Sequence, residues 1–130
     1  MPAQRTLSLP TDGHARVAVE TFRMLADPTR LKLLWLLLHH ESNVTTLAAT
    51  VGASAPAVSQ HLSKLRLAGL VESRREGTFI YYSATSAHVR RLLTEALAHA
   101  EHVTGEARGS DPHSYEAPGA PRVNRGEVRP

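Results

Sequence analysis

Three histidines near the end of the chain have a spacing that could bind a metal ion. His88, His99 and His102 lie in a stretch, 85–103, that we predict to be the last helix, with Thr85 as its N-cap. At about 100° per residue, the three side chains lie within roughly 60° of one another on one helix face. Neutral imidazole binds zinc, nickel and cobalt, so this face is a candidate metal site.

One chain cannot complete that site. Helical rise separates His88 from His99 by about 16 Å, too far for one ion, whereas His99 and His102, at i and i+3, can reach the same ion. If the last helices of two protomers cross antiparallel near residues 94–95, His88 of one protomer lies beside His99 and His102 of its partner. Two-fold symmetry then makes two equivalent sites. The alternative is a set of solvated histidines near a helix end.

A second stretch with functional side chains is residues 54–66. Ser54 can cap a helix, Pro56 fits its first turn, and apolar residues recur at helical spacing from Val58 to Leu65. Short polar side chains on the opposite face suit contact with base edges and phosphates in a DNA major groove. A solvated surface helix is the alternative. The residues of that face are Pro56, Ala57, Gln60, Ser63 and Lys64.

The neighbouring segments complete a winged helix-turn-helix pattern. A predicted helix at 44–51 and the Gly52 turn precede the 54–66 helix, which Gly69 ends. Two β-prone runs, 70–75 and 78–83, then predict a hairpin joined through Glu76-Gly77, with arginines near its tip. Such a wing can lie along the phosphate backbone.

The predicted fold class is mainly α with a small β-hairpin, a winged helix-turn-helix. Two further helices, 14–26 and 28–40, precede it, and the second is apolar on nearly all sides, which is typical of a buried central helix. Glycine and proline content separates three regions. They are a disordered arm at 1–13, the winged helix-turn-helix domain at 14–103 and a flexible tail at 104–130.

Composition narrows the function classes. The chain has no cysteine, which excludes disulfides and thiolate metal sites. No apolar run approaches the roughly 18 residues of a membrane span, and the N-terminus has no signal-peptide pattern, so we expect a cytoplasmic protein with no membrane partner. Residues 54–91 hold six Lys or Arg against two Glu, a basic surface suited to a polyanion.

Four motifs occur in order along the chain. They are Phe22-Arg23-Met24-Leu25-Ala26-Asp27-Pro28-Thr29-Arg30, Ser59-Gln60-His61-Leu62-Ser63-Lys64-Leu65, Gly69-Leu70-Val71 and Arg74-Arg75-Glu76-Gly77. In this order they resemble the ArsR/SmtB family of winged-helix repressors over roughly residues 15–103. The resemblance implies a homodimer, formed through the first and last helices, that leaves double-stranded operator DNA when an inducer, often a metal ion, binds. It also implies that Ser59, Gln60 and Ser63 face DNA. Because His61 stands beside Leu62, we expect it to pack or hydrogen-bond at the joint between helices and not to act as a ligand.

The histidine spacing itself resembles the last-helix site of the family's zinc and nickel/cobalt sensors. The zinc sensors carry an aspartate where this chain has Ser86, and a hydroxyl is a poor zinc ligand. A nickel/cobalt sensor of the family carries a glutamate before the last histidine, matched here by Glu101, and uses tail histidines. Asp111 and His113 are the tail donors available here, and nickel and cobalt accept six N/O ligands.

We therefore predict a metal-responsive DNA-binding repressor with nickel or cobalt as inducer and zinc as the alternative. The rivals are a winged-helix regulator without a metal site and a metal-dependent enzyme. No His-Glu-x-x-His helix or paired-carboxylate pattern supports the enzyme. The predicted metal ligands are His88, His99, His102, Glu101, His113 and Asp111. The predicted DNA contacts are Thr45, Ser54, Pro56, Ser59, Gln60, Ser63, Lys64, Arg74 and Arg75.

Overall fold

A computed structural model describes residues 7–105 of the chain. Two helices begin at the cap residues that the sequence predicted: Asp27 and Ser54 accept hydrogen bonds from backbone N–H groups three residues later, at 2.9 and 3.2 Å. Within the described residues there are five helices and one antiparallel hairpin. They are α1 (Asp12–Leu25), α2 (Pro28–His39), α3 (Val44–Val51), α4 (Ala55–Leu67), β1 (Glu72–Glu76), β2 (Phe79–Ser83) and α5 (Ala87–Thr104).

The core is built around α2, as its apolar composition predicted. Leu33 and Leu34 are fully buried, and α2 contacts the other four helices and the hairpin along its length. Each buried leucine contributes about 1.5–3 kcal/mol relative to an exposed one, so α2 holds α4 and α5 in place. The remaining buried residues are Leu37, Leu38, Leu47, Ala48, Val58, Leu62, Leu65, Val71, Ala84, Val89 and Leu93.

The link from α4 to the hairpin differs from the sequence prediction. The first strand was predicted from residue 70 but begins at Glu72, because Val71 is buried in the core. Gly69 ends α4 as predicted: it has φ +78°, and the next N–H, of Leu70, donates to the carbonyl of Leu65 at 2.9 Å. That bond is typical of a glycine-terminated helix.

The hairpin has a two-residue turn and is attached to the body. The turn is Gly77-Thr78 and not the predicted Glu76-Gly77, because Glu76 pairs with Phe79 as the last residue of β1; Gly77 has φ +65°. In β2, Tyr82 exchanges two backbone hydrogen bonds with Ser42 at 2.7 and 3.0 Å. The loop after α2 therefore fixes the base of the wing.

Two helix starts differ from the sequence prediction by one or two residues. α1 was predicted from residue 14 but begins at Asp12, because the Thr11 hydroxyl accepts an N–H from its first turn. The predicted cap of α5, Thr85, is wrong: the hydroxyl of Ser86 accepts the Val89 N–H at 3.2 Å. Thr85 and Ser86 both carry a hydroxyl, so the backbone geometry decides which of the two caps α5.

Two predicted regions extend beyond the described range. Residues 1–6 of the arm and residues 106–130 of the tail lie outside it, and so do the predicted ligands Asp111 and His113. Between residues 7 and 105, no helix has both the length and the apolar character needed to cross a membrane.

Candidate DNA interface and metal-binding face

α3 and α4 form a helix-turn-helix that rests on the core. Asn43 caps α3 by accepting the Thr46 N–H at 2.9 Å, and Gly52 ends it in a left-handed conformation. The inner sides of both helices are buried, with Leu47 from α3 and Val58 from α4 at 1% and 0% exposure. Since the core determines which side of α4 is buried, it also determines which side faces solvent.

The solvent side of α4 brings the predicted DNA contacts together. The exposed amide and hydroxyl groups of Gln60 and Ser63 can hydrogen-bond to base edges, and the cation of Lys64 can bind phosphate. The Ser54 hydroxyl already accepts the Ala57 N–H, so its observed role is to cap the helix. All the predicted contacts of the helix-turn-helix are exposed: Thr45, Ser54, Pro56, Ser59, Gln60, Ser63 and Lys64.

Arg74, the first of the two predicted wing arginines, is engaged by carboxylates of its own chain. Its guanidinium donates to both oxygens of Glu41, at 2.7 and 2.8 Å, and to Glu76 at 2.7 Å. It also lies over the ring of Tyr81, 5.0 Å from the centroid. The hydrogen bonds to Glu41 and Glu76 raise the pKa of Arg74, and the bond from Arg74 lowers the pKa of Glu41. Much of the positive charge of Arg74 is therefore balanced before DNA is present.

Arg75 has different surroundings. It is exposed in β1, opposite Ile80, and it makes no ion pair with any residue in the range 7–105. Its cation is open to a phosphate. Sequence reasoning treated the two arginines alike, because Glu41 lies 33 positions before Arg74 and no local pattern marks the pair.

The three histidines of α5 lie on its exposed side. α5 is one continuous helix, so His88 and His99 remain about 16 Å apart along its axis. Within residues 7–105 of one chain, no three His, Cys, Asp or Glu residues are grouped to hold a metal. All three imidazoles, including that of His102, are exposed. Their donor atoms fit zinc, nickel or cobalt only if a second chain completes the set.

The neighbours of the histidines limit the other candidate ligands. The Ser86 hydroxyl is the N-cap of α5, and Glu101 is half-buried on a different side of the helix from the exposed His102. The guanidinium of Arg91 donates to Nδ1 of His88 at 3.1 Å. One ring nitrogen of His88 is therefore engaged by a cation, and Glu101 does not share the exposed side on which the three histidines lie.

An apolar surface lies beside the histidines. α1 buries none of its residues, and its Val17 and Phe22 are 67% and 57% exposed. A groove of about 570 Å³ runs between α1, α2 and α5, with Phe22, Leu92 and His99 among its lining residues. Exposed apolar surface of this kind is a candidate interaction site, and this one adjoins the histidine face because His99 is among its lining residues.

Comparison with known proteins identifies the architecture. Residues 27–73, from the α2 cap into β1, match the family of bacterial regulatory proteins described as the arsR family. The HTH-type transcriptional regulator KmtR of Mycobacterium tuberculosis is 46% identical over 114 residues, covering 88% of this chain and 78% of KmtR.

Two solved structures extend the similarity to the fold. The AntR antimony-specific transcriptional repressor has a TM-score of 0.71 at 33% identity, over 82% of this chain and 96% of AntR. A homodimeric winged helix-turn-helix DNA-binding domain from Mycobacterium bovis has a TM-score of 0.64 at 32% identity, over 77% and 96%. The chain belongs to the arsR family, whose members are DNA-binding transcriptional regulators and not enzymes.

Proposed function

We propose that this regulator is a cytoplasmic homodimeric repressor that leaves its operator when nickel or cobalt binds between the α5 helices of two protomers. Zinc is the alternative inducer. The observation that carries the proposal is the alignment of three exposed imidazoles, His88, His99 and His102, on one face of α5 beside an open apolar surface.

The dimer is supported by the surface that one chain leaves exposed. Val17 and Phe22 on α1 and Leu92 on α5 are 67%, 57% and 37% exposed. A second copy would cover these side chains through a symmetric contact between α1 and α5. A structural relative with 32% identity is described as homodimeric.

Operator binding is assigned to α4 and the wing. The exposed Gln60 and Ser63 read base edges in the major groove, while Lys64 and Arg75 contact phosphates. Two protomers place two copies of α4 on successive half-sites, and the distance between those copies must match the DNA repeat.

The proposed switch follows from that distance. Imidazoles from both α5 helices that hold one ion fix the relative position of the two protomers. α5 is joined to the core through the buried Val89 and Leu93 and through Arg90, whose guanidinium donates to the carbonyl of Leu38 at the end of α2. A change in the α5 pair therefore moves α2 and, with it, the packed α4. Affinity falls when the two α4 helices no longer match one half-site spacing.

The ligand set that we propose has three imidazoles and donors from beyond the helix. The position that carries an aspartate in the zinc sensors is Ser86 in this chain, and its hydroxyl caps α5. The helix therefore offers the metal no carboxylate there. Asp111 and His113 are the proposed additional donors, and a larger N/O set favours nickel or cobalt over four-coordinate zinc. Glu101 is kept as a further candidate that requires the end of α5 to distort.

A regulator of the same fold without a metal site is the second candidate. The contact that favours it is the hydrogen bond from Arg91 to Nδ1 of His88, at 3.1 Å. A guanidinium beside an imidazole opposes a metal cation at that imidazole by charge repulsion.

Metal titration of a protein–DNA complex separates the two candidates. The probe is a duplex that the protein selects from a random pool, with affinity measured by fluorescence anisotropy. We expect saturating nickel or cobalt to weaken binding by about 5- to 150-fold, the usual range of allosteric coupling. Cobalt absorption in the visible range reports the coordination number. Unchanged affinity with nickel, cobalt and zinc at saturation would select the second candidate.

A further inference from the structure

Three polar side chains connect α4 to the start of α2. Arg30 approaches Nδ1 of His61, which is on α4, with one guanidinium nitrogen at 3.4 Å. Nε2 of the same ring lies 4.0 Å from the carboxylate of Asp27, and the two side chains are 23% and 33% exposed. The same Asp27 oxygen accepts the backbone N–H of Arg30 at 2.9 Å. One histidine of the DNA-reading helix thus touches both the cap and the first cation of α2.

Arg30 also binds the end of α1. Its Nε donates to the carbonyl of Met24 at 2.8 Å, and a terminal nitrogen donates to the carbonyl of Arg23 at 3.5 Å. These carbonyls lie in the last turn of α1, where a cation is favoured, and the Arg23 carbonyl also accepts the Ala26 N–H at 3.3 Å. The planar guanidinium has five donors, so one side chain spans α1 and α4.

The donor and acceptor roles in this cluster are consistent. Arginine can only donate, so Nδ1 of His61 is the acceptor of its contact with Arg30, and Nε2 of the same ring faces Asp27. The backbone N–H of Arg30 lowers the pKa of Asp27, and the nearby His61 and Arg30 lower it further against the opposing effect of burial. The guanidinium of Arg30, the ring of His61 and the carboxylate of Asp27 therefore stand in a row, with a 3.4 Å hydrogen bond on the Arg30 side and a 4.0 Å contact on the Asp27 side.

The apolar core already holds α4 against α2 through Val58, Leu62 and Leu65, each 0% exposed. Apolar burial is non-directional, whereas a hydrogen bond weakens steeply when its angle changes. The contribution expected from Arg30 and His61 is therefore orientation, in addition to their share of stability.

We infer that Arg30 and His61 form a strut that positions α4 relative to α1. The inference rests on the proposed dimer, in which α1 contacts the partner: the strut then sets the spacing of the two α4 helices on DNA. Arg30 and His61 are positioning residues, since they act through α4 rather than by touching bases.

Half-site spacing is the readout that distinguishes positioning from simple stability. The probes are the duplex that the wild-type protein selects from a random pool and derivatives with one or two base pairs added or removed between half-sites. The variants are His61→Leu, which removes the acceptor, and Arg30→Lys, which keeps the charge but cannot span both helices. Affinities are normalised to the active fraction, and a melting temperature is measured for each protein.

The preference is the ratio of the affinity for the best half-site spacing to the affinity for the next best. We expect this ratio to fall about tenfold in both variants, which is the size of a typical pairwise coupling. His61→Gln should restore it, because the amide oxygen accepts from Arg30 and the amide nitrogen donates toward Asp27. Arg23→Gln is the matched control: it removes a side chain that is 65% exposed but keeps the backbone carbonyl that Arg30 uses.

The outcomes are separable. A wild-type spacing preference in His61→Leu and Arg30→Lys overturns the strut. If one of these variants does not fold, the test uses the spacing preference of the other variant. The spacing preference of His61→Gln is then compared with that of the variant that folds. A wild-type protein that selects DNA but tolerates every spacing contradicts the proposed dimer on two half-sites, and the strut is rejected together with it.

Discussion

The DNA-facing half of the protein and the histidine face of α5 differ in how many chains they need. α3, α4 and the hairpin are complete in one chain, where Leu47 and Leu62 are 1% and 0% exposed. His88 and His99 stand exposed and about 16 Å apart on one continuous helix. The first surface is thus assembled by the fold of one chain, whereas the metal site that we propose on the second requires another copy of the chain.

This difference predicts how the two functions respond to substitution. Changes that disturb the core of the DNA-facing half should impair every measurement, because the proposed metal response is measured as a change in DNA binding. Changes on the histidine face should spare metal-free DNA binding, since those side chains support no part of the core. The predictions below test this asymmetry in order of expected size.

The largest effect is expected from the buried side of α4. Leu62→Ala should destabilise the fold by about 2–5 kcal/mol, because it leaves a cavity where Leu62 is 0% exposed. Leu67→Ala, on the same helix at 88% exposure, should change stability by no more than about 0.5 kcal/mol. Urea unfolding measures both. Similar losses in the two variants would mean that the buried side of α4 is misassigned.

The exposed side of α4 should carry sequence specificity. Gln60→Ala is expected to cost about 1–3 kcal/mol on the selected duplex and much less on a random duplex. Leu67→Ala serves again as the exposed control on the same helix. Anisotropy titrations on both duplexes measure the ratio, and an unchanged affinity for the selected duplex would place the reading face elsewhere.

The histidine face should control the response to metal without altering metal-free binding. His88→Ala and His102→Ala should each abolish a coupling of about 1–3 kcal/mol between metal and DNA. His40→Ala removes an exposed histidine beyond the end of α2 and should leave the coupling intact. A similar loss in His40→Ala would show that the response does not come from α5.

The tail should alter selectivity between metals rather than the response itself. Truncation after Gly105 keeps α5, whose last carbonyls include that of Glu101 bound by the Gly105 N–H at 2.9 Å. It removes Asp111 and His113, so the nickel response should weaken more than the zinc response, because nickel prefers more ligands. Full-length protein with Asp111→Asn and His113→Ala is the matched variant: it removes the same two donors without shortening the chain. Equal losses for both metals would exclude a role of the tail in selectivity.

The smallest effect should separate the two wing arginines. Arg75→Ala should weaken binding to all duplexes alike and reduce the salt slope of the binding constant by about one. Arg74→Ala should change the slope less, because Glu41 and Glu76 already engage that guanidinium at 2.7 Å. The measurement is affinity against salt concentration, with Glu41→Gln added to release Arg74. Equal slopes in the two alanine variants would contradict this distinction.

Local signals were enough for most of the fold. Asp27-Pro28 and Ser54 mark helix starts, and Gly69 marks a helix end, because capping bonds join groups within a few residues of each other. The apolar stripe of α4 predicted its buried side for the same reason, since helical spacing is regular. The order of these segments was sufficient to identify the winged helix-turn-helix.

Contacts between distant residues were decided by the tertiary structure. Glu41 and Arg74 are 33 positions apart, and Arg30 and His61 are 31 apart, so only the packing of separate elements brings them together. The strand start was also decided by packing, because burial of Val71 in the core takes precedence over its β propensity. The sequence alone determines which groups can bond within a helical turn, because those groups are only a few residues apart. Long-range pairs depend on how the buried faces of α2 and its neighbours fit together.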